Sequence, residues 1–167
     1  MNDLHELYYF SLVGWIIFSI PVLFVLIKFN PPTYGRHVGK HGLFINNSLG
    51  WFLMELPTLF IIPIFFLFGS VDFNIVNTCF IFLYVIHYMN RVFIFPFRLR
   101  TKGKRIPVSI VVSAIFFNLC NTFFLGYYFG NFAYDVSWFS SPQFIVGLSL
   151  FFIGAFINNQ SDSILIN

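Results

Sequence analysis

Long apolar runs separated by short polar intervals organise this chain. Five runs are long enough, or nearly so, to cross a hydrocarbon core about 30 Å thick as helices. They are roughly Tyr8–Ile27, Leu49–Phe68, Phe73–Phe95, Pro107–Phe129 and Phe144–Ile157. The last is the shortest and reads as tilted or partly capped by protein. The breaks carry turn residues: Asn30-Pro-Pro-Thr-Tyr-Gly35, Gly69-Ser-Val-Asp72, Arg100-Thr-Lys-Gly-Lys104 and Ser140-Ser-Pro142. No internal repeat or low-complexity linker interrupts them. The pattern predicts an all-α, polytopic membrane helix bundle with about five transmembrane helices, in a single domain over residues 1–167.

Composition agrees. The chain is 58% hydrophobic and 23% aromatic, and only 9% of it is charged, against roughly 25% in ordinary soluble domains. Charge sorting adds an orientation. Lys28, Arg36 and Lys40 follow the first span. Arg91 lies late in the third, and Arg98, Arg100, Lys102, Lys104 and Arg105 follow it. The opposite ends carry only the acids Asp3, Glu6, Asp72 and Asp135. By the positive-inside rule, loops one and three and the C-terminus face the cytosol, and the N-terminus faces the lumen or the outside. In this topology the sequons at Asn46 and Asn159 are cytosolic and not expected to be glycosylated. The acidic start Asn2-Asp-Leu-His-Glu6, with no small-residue cleavage site after it, does not read as a cleaved signal peptide. The net charge of +3 follows from topology, and no nucleic-acid module accompanies it.

Against this background Glu55 stands out, a carboxyl inside the apolar run Leu49–Phe68. An acid at membrane depth is costly, so it is paired, neutralised or functional. Helical spacing places Trp51 on its face. On span three, Tyr84, His87, Tyr88 and Arg91 form one stripe. Span four carries Asn118, Asn121 and Tyr128, and span five Gly147, Gly154, Asn158 and Asp162. Asn, Tyr and Gly stripes also serve as plain helix-packing devices. A carboxyl, a phenol and a guanidinium on adjacent helices exceed what packing requires. An apolar surround predicts an uncharged Glu55. A neutral acid beside Tyr88 would polarise a ligand carbonyl, as an oxyanion hole does.

Other constellations are weaker. The basic stretch Arg98–Arg105 reads as topology first and as a phosphate contact second, without the strand-glycine-helix context of a dinucleotide fold. His37 and His41 lack a third metal ligand. Cys79 and Cys120 lie inside spans without paired spacing and read as small packing residues. No Ser-His-Asp, zinc or phosphate-loop signature appears.

Six segments, in order, resemble the membrane steroid 5α-reductases, the 3-oxo-5α-steroid 4-dehydrogenases. They are Tyr34-Gly-Arg-His37, Gly50-Trp-Phe-Leu-Met-Glu-Leu-Pro57, His87-Tyr-Met-Asn-Arg91 leading to Phe95-Pro96, Gly103-Lys-Arg-Ile-Pro107, Asn121 ahead of Gly126-Tyr-Tyr128, and Phe156-Ile-Asn-Asn-Gln-Ser-Asp162 followed by Ile164-Leu165. The resemblance implies NADPH-dependent reduction of the Δ4 double bond of a 3-oxo-steroid or similar apolar enone, in the endoplasmic reticulum membrane. It implies that Glu55 and Tyr88 are catalytic, holding the ketone oxygen. Trp51, Arg91, Lys104, Asn158 and Asp162 fall on or near cofactor-holding positions. Asp162 would accept from a ribose hydroxyl and Lys104 would contact phosphate.

Departures from the family pattern are Asn90 for a common His, Phe95 for a Tyr, Leu125 for a Gln and Gln143 for an Arg. The family continues for roughly another third beyond the Asn158–Asp162 motif, with further spans that supply cofactor contacts. A chain ending at Asn167 is therefore expected to be inactive or nearly so by itself. Polyprenol and long-chain enoyl-CoA reductases are rival readings within the superfamily. A non-catalytic membrane scaffold or lipid-binding fragment is the alternative of a different class. A transporter lacks the expected repeat symmetry.

Overall fold

The computed structural model describes residues 2–28, 42–100 and 103–166. Arg36, His37, Lys40, His41 and Lys102, with the Tyr34–His37 motif, lie outside the described residues. The elements run α1 (Asn2–Lys28), β1 (Phe44–Asn46), α2 (Asn47–Leu67), α3 (Ile75–Met89), a π-helical turn (Asn90–Ile94), α4 (Phe95–Arg98), β2 (Arg105–Pro107), α5 (Val108–Asn131), a 3-10 turn (Val136–Ser140) and α6 (Pro142–Ile166). Among the described residues, five helical stretches are long and apolar enough to cross a membrane: Leu4–Lys28, Asn47–Leu67, Ile75–Arg98, Val108–Asn131 and Pro142–Ile164. The five-span helical bundle is borne out. The last span is longer than the apolar run suggested. Asn159 and Ser163 satisfy their own side chains on the helix, donating to the Ala155 carbonyl at 2.9 Å and the Asn159 carbonyl at 2.7 Å. Polar residues therefore extend α6 rather than end it.

The centre of the bundle is the α2–α5 pair. Glycine permits its close approach. A Cβ on Gly126 would stand 2.8 Å from the Phe65 Cβ, and one on Gly130 would run into the Phe65 carbonyl. Between these helices Ile62, Thr58 and Thr122 have no exposed surface. The Asn118 amide donates to the Met54 carbonyl at 2.6 Å, and Thr58 Oγ1 donates to the Glu55 carbonyl at 2.5 Å. Pro57 and Pro63 remove two N–H groups from the α2 ladder, and these two side chains add partners to its buried carbonyls at Met54 and Glu55.

A two-stranded antiparallel clasp, which periodicity did not predict, ties the starts of α2 and α5 together. It pairs Phe44 with Pro107, Ile45 with Ile106 and Asn46 with Arg105. Asn47 N–H donates to the Lys104 carbonyl at 3.2 Å, and Val108 N–H to the Leu43 carbonyl at 2.9 Å. Ile106 enters a small core with Met54 and Val111. Three-residue strands carry too little alternation to be read from sequence.

At the other end Asn77, fully buried, donates to the Phe129 and Phe132 carbonyls at 2.7 Å each and accepts from Tyr134 N–H at 3.2 Å. It pins α3 to the end of α5. Beyond it, the Asp135 carboxylate caps the 3-10 turn, accepting from Ser137 N–H at 2.8 Å. That bonding to Ser137 holds the carboxyl below its usual range. Helix α1 docks through rings: Tyr8 stacks on Tyr127 at 4.9 Å and donates to the Phe124 carbonyl at 3.2 Å, while Trp15 packs on Phe116 and Phe117. The remaining apolar faces of α1 and α6 are exposed, as helices meeting lipid require.

Gly130→Ala sets a methyl against backbone that cannot move aside. It is expected to destabilise the bundle by about 1–3 kcal/mol, lowering the thermal unfolding midpoint in detergent, whereas Gly14→Ala, with nothing within 4 Å of its added Cβ, should leave the midpoint unchanged.

Candidate functional site

Glu55, Arg91 and Asp162 meet inside the bundle. Arg91 Nη2 donates to Glu55 Oε1 at 3.2 Å, and Arg91 Nη1 lies 4.0 Å from Asp162 Oδ2. All three side chains are mostly buried, with 12%, 17% and 13% of the Glu55, Arg91 and Asp162 side chains exposed. One guanidinium thus joins α2, the π-helical turn and α6. Glu55, expected to act beside Tyr88, has Arg91 as its hydrogen-bond partner here. The acid accepts a charge-assisted hydrogen bond from a residue 36 positions away, and pairing offsets the cost of burying its charge.

Aromatic rings hold the other faces of the guanidinium. Its carbon lies 5.0 Å from the Trp51 ring centroid and 4.6 Å from that of Phe95, and those two rings meet edge-on at 5.1 Å. Such contacts favour a desolvated cation. Phe95, a departure from the family pattern, is therefore part of the cluster. The backbone explains how Arg91 reaches it. Phe95 N–H bonds to the Asn90 carbonyl, five residues back, and Pro96 brings no N–H. The wider turn changes the facing of the residues after it, and Arg98 addresses the same helix, α6, as Asn90 at the start of the turn. Arg98 Nη2 donates to Ser163 Oγ at 2.8 Å, and Asn90 Nδ2 donates to Asn159 Oδ1 at 3.2 Å. Asn90, another departure, is thereby engaged as well.

Tyr88 stands within electrostatic reach of Glu55 and Arg91, and its ring lies 4.3 Å from that of Tyr84. Among the described residues no hydrogen bond joins the Tyr88 hydroxyl to Glu55. The structure thus brings together Glu55, Arg91, Asp162 and Trp51, with Tyr88 alongside. It does not gather the other two site residues read from sequence. Asn158 is half-buried and, among the described residues, makes no hydrogen bond to the cluster; its neighbour Asn159 faces Asn90 instead. Lys104 is exposed beside the clasp, where it lines a polar recess of about 400 Å³ with Phe44, Asn46, Gly103 and Arg105. Sequence reasoning missed Asn159, Ser163 and Phe95 as partners. Spacing on α6 held the signal for two of them, since Asn159, Asp162 and Ser163 share one helical face.

Leu125 and Gln143, the other departures, line a second cavity of about 450 Å³ between α3, α5, the 3-10 turn and α6. Tyr84 forms part of its wall.

The architecture defines a polytopic helical membrane protein with an ion-paired polar centre in an apolar bundle. Residues 104–167 match the family described as 3-oxo-5-alpha-steroid 4-dehydrogenase. Tomato steroid 5-alpha-reductase DET2 is 32% identical over 166 residues, covering 93% of this chain and 64% of the relative. The Arabidopsis thaliana protein of the same name is 32% identical over 160 residues, 90% of this chain and 61% of the relative. Human 3-oxo-5-alpha-steroid 4-dehydrogenase 1 is 35% identical over 92 residues, 54% of this chain and 35% of the relative. The resemblance to the steroid 5α-reductase family read from the motifs is borne out, and with it the similarity to oxidoreductases of the 3-oxo-5α-steroid 4-dehydrogenase type. The chain spans between about a third and two thirds of the length of these curated relatives.

Arg91→Met removes the cation that Glu55 and Asp162 share inside the bundle. The expected cost is about 3 kcal/mol, read as a lower unfolding midpoint in detergent. Adding Glu55→Gln to that variant should recover most of the loss.

Proposed function

We propose that this chain carries the ketone-binding part of an NADPH-dependent reductase for apolar enones, of the 3-oxo-Δ4-steroid type. The observation that carries the reading is the buried Glu55–Arg91–Asp162 cluster with Tyr88 beside it. An apolar bundle has no packing reason to hold three charged groups together. The relatives' names support a steroid substrate.

Bound NADPH supplies the hydride that goes to the enone β-carbon, and the α-carbon takes a proton from water. The chain's own residues handle the oxygen. As electrons move toward it, the Tyr88 O–H donates to the developing enolate. Arg91 supplies positive charge nearby, and Glu55 fixes the guanidinium in place. This extends the Glu55–Tyr88 pair to a triad in which the acid orients and the phenol donates. Trp51 and Phe95 cover the guanidinium and strengthen its interactions. Asp162, a carboxylate at the same guanidinium, suits a ribose hydroxyl, and Arg98 with Ser163 suits phosphate oxygens. The exposed Lys104 suits a phosphate further out.

Location favours this division of labour. Glu55 lies eight residues into α2, about 12 Å from its start at 1.5 Å per residue. In the proposed orientation that start is cytosolic: the N-terminus is lumenal, loops one and three and the C-terminus are cytosolic, and the membrane is the endoplasmic reticulum. A water-soluble cofactor would then enter from the basic end, and a lipid-soluble enone from the bilayer.

The test is turnover of a 3-oxo-Δ4-steroid in microsomes containing the protein and NADPH, with the product identified by mass. Tyr88→Phe is expected to lower kcat by at least about 10²-fold with little change in KM for the steroid. Asp162→Asn is expected to raise KM for NADPH. Turnover that survives Glu55→Gln and Tyr88→Phe unchanged would sink the assignment of these residues, and no turnover even from a chain extended with the family's remaining spans would leave the non-catalytic scaffold.

A further inference from the structure

Three buried side-chain polar atoms lack a hydrogen-bond partner among the described residues: His5 Nδ1, the Tyr84 hydroxyl and Trp138 Nε1. Of these, the Tyr84 hydroxyl is the one beside the candidate site. The Tyr84 and Trp138 rings line the second cavity, but the Tyr84 hydroxyl is closed off from it. A buried hydroxyl without an acceptor is uncommon and costs stability. A Phe at this position would fill the same space in an apolar bundle without that cost. The hydroxyl therefore has its use in another state of the site.

Its surroundings supply that use. Tyr84 and Tyr88 are one turn apart on α3, with ring centroids 4.3 Å apart and planes 31° from parallel. The side chains facing the Tyr84 hydroxyl are those of Tyr88 and Thr58, with the Glu55 carboxyl within electrostatic reach. Thr58 is fully buried, and its Oγ1 donates to the Glu55 carbonyl at 2.5 Å. Its hydrogen is committed, so toward Tyr84 it can only accept. The Tyr84 O–H thus has two acceptors within reach, the Thr58 oxygen and the Tyr88 oxygen, and in the resting structure it bonds to neither. Charge separates the two. The Tyr88 oxygen gains negative charge when its proton moves toward a bound oxygen, and the Thr58 oxygen does not. A charged acceptor makes the stronger bond.

We propose that Tyr84 is a positioning residue for Tyr88: its O–H donates to the Tyr88 oxygen as Tyr88 donates to the ligand oxygen, so that two phenols in series share the developing charge. This rests on the reading of Tyr88 as the donor to that oxygen. The Tyr88 proton moves toward the ligand and the Tyr84 proton toward Tyr88, and hydrogen bonds in series strengthen one another. The other groups facing Tyr88 are Glu55 from α2 and Arg91 from the π-helical turn, with the His87 ring 5.2 Å from its own. Arg91 is shared between Glu55 and Asp162. A neutral second donor therefore reinforces Tyr88 without adding a charge to the bundle.

The test compares two probes of one shape, a polycyclic phenol titrated as its phenolate, which imitates the enolate oxygen, and the corresponding polycyclic ketone. Binding to the protein in detergent is followed by fluorescence, without NADPH. Tyr84→Phe is expected to weaken the phenolate about fivefold, the loss of one hydrogen bond, and to leave the ketone unchanged. In a Tyr88→Phe background the same substitution should have no further effect. The unfolding midpoint should not fall in Tyr84→Phe, because the hydroxyl makes no hydrogen bond that folding would lose. Phenolate affinity unchanged by Tyr84→Phe overturns the proposal, as do equal losses for both probes, a loss that persists without the Tyr88 hydroxyl, or a lowered midpoint. Phenolate affinity unchanged by Tyr88→Phe instead overturns the reading of Tyr88 as the oxygen donor, and this inference with it, so the two failures are distinguishable.

Discussion

A guanidinium between two carboxylates, held away from water, is the constraint on which the rest of the arrangement turns. Each of these charges alone would be costly in an apolar bundle; together they are tolerated because Arg91 reaches Glu55 at 3.2 Å and Asp162 at 4.0 Å. The gain in net stability is small for such a cluster, since desolvation opposes attraction. Its consequence is geometric. Satisfying all three groups admits only placements in which α2, the π-helical turn and α6 converge, with Trp51 and Phe95 closed over the cation.

That convergence rests on a stiffer platform. The α2–α5 pair is drawn together by Gly126 and Gly130 and locked at one end by the Phe44–Asn46 and Arg105–Pro107 clasp. Polar side chains on it direct their hydrogen bonds to backbone, as Asn118 does to the Met54 carbonyl, while the Glu55 side chain meets Arg91. Helix α6 is attached differently. Its ties to the α3–α4 segment are the polar contacts of Asn159, Asp162 and Ser163 together with ring contacts of Phe144 on Phe80 and Phe151 on His87, and its flanking apolar faces are exposed. Glu55 is therefore carried by the tightly packed pair, and Asp162 by a helix whose flanking faces are exposed.

How much of this was legible in advance differs by level. The five spans follow from hydropathy, because a helix that meets lipid must be apolar over its whole length, and that is a local property of the chain. Glu55 was legible for the same reason, as an exception to a local rule. The motif order carried the family resemblance, and the relatives bear it out. Its partner was not legible as a partner. Arg91 was grouped with Glu55 and Tyr88 as ionisable neighbours on adjacent helices and given by the resemblance to the cofactor, because spacing within one helix does not show which side chain of another it meets. Asn158 was read where Asn159 does the bonding, since adjacent positions on a helix differ in facing by about 100° and only packing decides which face is buried.

The sequence by itself determined the class of the protein, the number of spans, the cost of its one acid in the second span and the motifs that place it beside the steroid 5α-reductases. These depend on residue chemistry and short-range spacing. Tertiary structure alone decided that Arg91 satisfies Glu55 and Asp162 together, that three-residue strands clasp α2 to α5, and that Tyr84 and Trp138 face a common cavity. Each joins residues far apart in the chain, and which of them meet is set by how the helices pack.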